Sequence, residues 1–236
     1  MTLASLIQED IDYPDTDGEP MAESDFQRKP LTYLVEALDL HFQTQPEVYV
    51  SGNLLIYYQP GNPKASVAPD VFIVFGVPKR LRRIYQTWVE GKAPQVIIEI
   101  TSHTTKTKDD KDKPLLYQRL GVAEYFQYDP TGDYLRPALR GRRLNELQQY
   151  QEMSIETLTN GTLSLTSPLL GLDLHLHQGQ LRLFNPLNGD YLLTYAEAQA
   201  KIKQAESARH TAEAQVQEAQ AKIKQLEAEL ARFRQK

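Results

Sequence analysis

The chain contains no cysteine. Disulfides, thiolate zinc sites and thiol nucleophiles are therefore excluded from its fold and its chemistry. No apolar run approaches the ~18 residues that a membrane-spanning helix needs, so no membrane partner is expected. Glycine-rich phosphate loops are missing too. Neither GxxxxGK[ST] nor GxGxxG occurs, which removes the P-loop and dinucleotide-binding classes. Nor is positive charge in excess: 26 Lys and Arg against 31 Asp and Glu leave a net charge of −5. That argues against coating nucleic acid through a global positive field, while a local basic groove stays open. The acidic opening stretch, MTLASLIQEDIDYPDTDGEP, has no basic flank before an apolar region. No secretory signal is expected from it, and the expected location is cytoplasmic.

What is present is an ordinary core-forming composition, 41% hydrophobic over 236 residues, enough for one large domain or a domain with an appendage. Three parts are expected. Residues 1–24 are polar and turn-rich and read as a loosely ordered arm. Residues 25–195 alternate helical and strand-like segments. In DFQRKPLTYLVEALDLHFQT, Leu31, Leu34, Val35, Leu38 and Phe42 fall at helical spacing, with Pro30 suited to a first turn. EVYVSGNLLIYYQPG, VAPDVFIVFGVP, QVIIEIT and AEYFQYDP read as strands. A short helix near 110–120 ends at Gly121, a natural C-cap. Smaller β elements follow from 134 to 184. Among them GLDLHLHQG has the alternation of a half-exposed strand, with Asp173, His175 and His177 on one face. The fold class is α/β (α+β) with a mixed sheet.

From 196 to 236 glycine and proline vanish. Ile202, Arg209, Val216, Ile223 and Leu230 recur every seventh residue, and Ala205, Ala212, Ala219, Leu226 and Phe233 follow three later. These are the a and d positions of a coiled-coil helix, with a homodimer as the expected partner state.

Two carboxylates interrupt strongly apolar runs, Asp70 in APDVFIV and Glu99 in VIIEIT. Either alone is as consistent with an edge residue turned to solvent. Together they suggest convergence, because buried ionised carboxylates are costly unless paired or bound to metal. A hard cation such as Mg²⁺ takes oxygen ligands of this kind. The run KTKDDKDKPLLYQRLGV, directly after the second strand, supplies lysines that could complete a hydrolytic site.

The blocks VAPDVFIVFG and APQVIIEITS come first, followed by Lys113, Tyr117, Gly121, Val122, Glu124, Tyr125, Phe126, Asp129 and Pro130 at characteristic spacing. This ordered set resembles the Uma-type family of bacterial endonucleases, itself similar to the PD-(D/E)XK nuclease superfamily. The likeness covers roughly residues 15 to 195. It implies a restriction-endonuclease-like mixed β-sheet flanked by helices. It also implies Mg²⁺ or Mn²⁺ held by Asp70 and Glu99, and a catalytic lysine displaced onto the following helix. Two residues after Glu99, where the superfamily usually has that lysine, stands Thr101. The family places its lysine four residues before the tyrosine, which is Lys113, with Asp109 as an accompanying acid. Lys113 precedes Pro114, which pushes it out of the helical body toward the helix start; Lys111 is the alternative. Glu36 is either a further active-site acid or a solvent-facing one.

Other signals are weaker. KRLRR offers Lys79, Arg80, Arg82 and Arg83, with Tyr85 and Trp88 after them. It reads as a solvated surface or as a contact to DNA phosphates and bases. LRPALRGRRL is a second basic segment. His175 and His177 lack a third ligand and are not read as a metal site. The expected function is metal-dependent endonucleolytic hydrolysis of DNA. The competing class is a catalytically inactive nuclease fold that dimerises or recruits a partner through its coiled coil.

Overall fold

The structure, a computed structural model, describes residues 11–16, 18, 24–101 and 112–234. It forms two compact units, Met1–Leu192 and Leu193–Lys236. In chain order the first unit contains α1 (Asp25–His41), β1 (Val48–Ser51), β2 (Ile56–Tyr57), β3 (Ser66–Val67), β4 (Val71–Phe75) and β5 (Tyr85–Gln86). Then come α2 (Thr87–Glu90), β6 (Val96–Ile100), α3 (Lys113–Leu120), β7 (Glu124–Tyr128), β8 (Leu139–Leu144) and β9 (Tyr150–Glu152). The unit ends with β10 (Glu156–Thr157), β11 (Leu163–Ser167), β12 (Leu172–His177), β13 (Gln180–Asn185) and β14 (Asp190–Tyr191). The second unit is α4 (Tyr195–Arg234). Among the described residues no helix is long and apolar enough to cross a membrane.

The central sheet has the order β1-β4-β6-β7-β8-β9. It is mixed, as the sequence led us to expect: β6 and β7 run parallel, and every other neighbouring pair is antiparallel. The parallel pair requires a crossover, and α3 lies within it. β6 is buried along its whole length, because the sheet is covered on both faces. On one face Val71, Ile73, Val96 and Ile98 pack with Leu34, Ala37 and Leu38 of α1 and with leucines of the second sheet, β10-β11-β12-β13-β14. On the other, Phe72, Val74 and Ile97 pack with Tyr117 of α3 and with Ile56 and Tyr85 of a small third sheet, β3-β2-β5.

Two local expectations change. α1 starts at Asp25, so Pro30 is its sixth residue rather than part of the first turn. The proline forfeits only a bond to the Phe26 carbonyl near the helix start, where Ser24 O already accepts from Gln27 and Arg28. In β12, His175 is buried rather than half-exposed. Its ring stacks on Phe184 and meets the Tyr191 hydroxyl at 3.0 Å, partners on β13 and β14 that the alternation could not reveal. Within the N-terminal arm, Tyr13 packs edge-on against Tyr57 and accepts from Gly61 N–H at 2.7 Å. Residues 11–16 are thus tied to the body.

α4 opens on a capping box. The Thr194 N–H reaches Glu197 at 2.8 Å, and the Glu197 N–H returns to Thr194 Oγ1 at 3.2 Å, satisfying donors that a helix start leaves unpaired.

Candidate active site

The register of two strands creates the site. β4 and β6 pair Ile73 with Val96, Phe72 with Ile97 and Val71 with Ile98. One further step sets Asp70 opposite Glu99, and residues opposite one another in a sheet share a face. Both acids are on the face covered by α3, in line with Phe72 and Ile97. Glycine at position 52 matters here. A Cβ on Gly52 would lie 2.3 Å from the Asp70 carbonyl oxygen and 2.9 Å from Val35 Cγ2. Its absence lets the β1 end press on the Pro69–Asp70 segment, and Asn53 N–H bonds to Pro69 O at 3.0 Å.

Asp70 accepts the Ile100 N–H at 2.6 Å, while the Asp70 N–H points at Glu99 Oε2 at 3.4 Å. Glu99 is wholly buried. Its Oε2 pairs with Lys113 Nζ at 2.9 Å, and its Oε1 accepts the Tyr117 hydroxyl at 2.5 Å. Lys113 is the first residue of α3, with Pro114 in the first turn, so its side chain leaves from the helix start. Tyr117 sits four residues later, on the same helix face. Burial, and then the negative charge of Glu99, push the Asp70 carboxyl well above the usual carboxylate range, against the pull of Lys113 and the Ile100 N–H. A single ammonium is a thin counterweight to two acids in contact. A hard divalent cation that takes one or two carboxylates and keeps several waters matches this donor set. Among the described residues no cluster of three or more His, Cys, Asp or Glu offers a denser one.

The register continues across the sheet. Glu99 pairs with Gln127, and Gln127 with Arg140. Asp70, Glu99, Gln127 and Arg140 therefore form one row on one face. Gln127 is buried, and its Oε1 accepts from Arg142 at 2.9 Å. Sequence reasoning passed over Gln127 and did not single out Arg140 within its basic segment. The signal was available only as strand pairing. Tyr117 served as a spacing mark there, and its contact with Glu99 is a feature of the fold.

The remaining candidates do not gather here. Thr101, two residues after Glu99, is buried, and among the described residues its Oγ1 has no hydrogen-bond partner. Glu36 is exposed on α1. Asp109 and Lys111 lie outside the described residues. His175 and His177 are held by Tyr191 and Thr162 in the second sheet.

The KRLRR cations each meet an acid far away in sequence or across a turn. Lys79 pairs with Asp39, Arg80 with Glu90, and Arg83 with Asp15. Arg82 grips Glu90 through Nε and Nη2, both at 2.9 Å, and lies 4.1 Å over the Tyr49 ring. With only 2% of its side chain exposed, it is part of the wall. Tyr85 is fully buried in the core and Trp88 packs by Tyr13, so stacking of Tyr85 on a base is ruled out by burial.

A mixed sheet flanked by helices, with two acids and a lysine converging beside a parallel strand pair, defines a nuclease-like α/β protein. The chain belongs to the Uma2 family, described as "Putative restriction endonuclease", whose family model matches residues 3–200. No curated protein matches the chain. Among solved structures it is similar to a chain from Anabaena variabilis ATCC 29413 described as "a putative nuclease belonging to DUF820". The likeness has 14% identity and a TM-score of 0.45, and covers 64% of this chain and 76% of that one.

Proposed function

We propose that this protein is a divalent-cation-dependent endonuclease that hydrolyses DNA phosphodiester bonds. The observation behind it is the contact set Asp70–Glu99–Lys113, two acids and one ammonium on a single face. Asp70 and Glu99 would hold Mg²⁺ or Mn²⁺, whose role when bound is to polarise the phosphate and make water a better nucleophile. Lys113 acts as a donor toward the attacking water or a non-bridging oxygen, stabilising charge as it develops. Tyr117 fixes the Glu99 carboxylate through Oε1, leaving Oε2 to face Lys113 and Asp70. Gln127 and Arg140, further along the row, extend the polar face toward a neighbouring phosphate, which an arginine suits.

Calorimetric titration with Mn²⁺ tests the reading, run beside Mg²⁺-dependent cleavage of supercoiled and linear DNA. Wild type is expected to bind the cation and cut. The Asp70→Ala/Glu99→Ala double variant is expected to do neither. A wild type that neither binds Mn²⁺ nor cuts DNA removes the enzyme and leaves the nuclease-fold scaffold.

Tyr117→Phe probes the positioning role. Loss of one partner that orients a ligand costs about 10- to 100-fold in metal affinity or activity. Mn²⁺ affinity should drop within that range while the melting curve keeps its single transition. An unchanged affinity would make the Tyr117 hydroxyl a packing contact only.

A further inference from the structure

α4 is a 40-residue helix whose apolar seam faces solvent. Ile202, Val216, Ile223, Leu226 and Leu230 are each more than half exposed. A lone helix with such a stripe lacks the burial that normally stabilises helices in water. The flanking charges say what covers it. With Ile202 at position a, the e positions carry Glu206, Glu213 and Glu227, and the g positions carry Lys201 and Lys222. Through Glu227 the charged e positions are acidic and the charged g positions basic.

We infer that α4 pairs with α4 of a second copy of this chain as a parallel, in-register, two-stranded coiled coil. In a parallel pair each g residue meets the e residue five positions on in the partner, and these contacts set orientation and partner choice. Here Lys201 meets Glu206 and Lys222 meets Glu227, while Gln215 meets Gln220. No g–e′ contact brings like charges together. An antiparallel pair would instead set e against e′ and g against g′, so that the mainly acidic e row would face itself, Glu206 against Glu227 at full overlap. Arg209 at a is the polar exception within the seam. Glu213 on its own helix partly neutralises it at 3.4 Å, and one polar a position commonly fixes register and oligomeric state at some cost in stability. The inference is independent of the nuclease reading and concerns the second unit alone.

The cysteine-free chain makes the test direct. Ala205→Cys and Ala219→Cys, introduced separately into the full-length protein, place one thiol at a d position each. They are 14 residues apart, about 21 Å along the helix, and a disulfide needs Cα atoms within about 7 Å. Parallel pairing gives a cross-linked dimer at both positions under mild oxidation. Identical positions meet only at the midpoint of an antiparallel pair, so cross-linking at one site or neither overturns the orientation. Sedimentation of the unmodified chain should show a dimer at tens of micromolar, and a monomer there overturns the second copy as partner. Glu206→Lys/Glu227→Lys should weaken the dimer at least tenfold, and adding Lys201→Glu/Lys222→Glu should restore it. Indifference to the first pair of changes would also defeat the g–e′ assignment.

Discussion

Glu99→Gln is expected to lower Mg²⁺-dependent DNA cleavage on the order of 10²- to 10³-fold, the range that loss of one preorganised electrostatic group costs. Glu99 is the hub of the site, with Lys113 and the Asp70 N–H on Oε2 and Tyr117 on Oε1. Glutamine preserves shape and can still accept from Tyr117. Its amide NH₂ would then face the lysine, setting donor against donor, and the negative charge that orients Lys113 is gone. The fold should survive. Burial is the main cause that raises the Asp70 carboxyl, and neutralising Glu99 removes the second, which favours the Asp70 anion near Lys113. The check is single-turnover cleavage alongside a thermal melt. Cleavage unchanged within a factor of about two, in a variant that melts as wild type does, would reduce Glu99 to a structural ion-pair member and move the chemistry elsewhere.

The largest expected effect on stability is at Asp129, just beyond the end of β7. This buried carboxylate receives the Thr131 N–H and hydroxyl and the Gly132 N–H on Oδ1, and the Tyr134 and Leu135 N–H groups on Oδ2. It organises the whole turn into β8. Asp129→Ala leaves several donors unpaired, at least one of them on buried Leu135. Hydrogen bonds to a charged group are worth about 1.5–3 kcal/mol net, and orphaned buried donors add to the loss. A total near 3 kcal/mol is expected, or about 6–12 °C in melting temperature for a unit of this size. The pH dependence has a definite sign. Burial works to raise the Asp129 pKa, but the N–H groups of Tyr134 and Leu135 and the contacts with Thr131 win, and it lies below the ordinary value. A carboxylate with a depressed folded pKa contributes its stability above the unfolded pKa, about 3.9, and loses it as pH falls through the folded one. The gap between wild type and variant should therefore be full at neutral pH and close progressively in acid. Urea melts at pH 7 and at pH 3 measure both, and a gap that does not narrow in acid would contradict the assignment.

Asp129 also shows where sequence reading stopped. It was legible as the aspartate of a strand-ending Asp-Pro turn, and nothing in that pattern announced five hydrogen bonds. The acids of the site were legible for a different reason. A carboxylate inside VIIEIT is costly in a buried strand unless something meets it, and a second one in APDVFIV made convergence the expectation, although neither alone decided it. Lys113 was legible only through the family resemblance, whose lysine stands four residues before the tyrosine. KRLRR was legible as four cations around Leu81, but the acids that they meet were not. Asp15, Asp39 and Glu90 come from three separate segments, and local sequence carries no record of that encounter.

Local patterns thus determined the elements of this protein. The β-branched runs specify strands buried on two faces, the heptads specify one long helix, and two interrupting acids mark the place where chemistry is possible. These properties depend on a residue and its near neighbours, through periodicity and the cost of burying charge. Pairing was decided only by tertiary structure. The alignment of β4 with β6 sets Asp70 opposite Glu99, that of β6 with β7 adds Gln127, and the approach of α3 brings Lys113 and Tyr117 onto the same carboxylate. Strand register and helix approach arise from long-range packing, where a register shift of one residue would turn the strand acids and Gln127 to the opposite face.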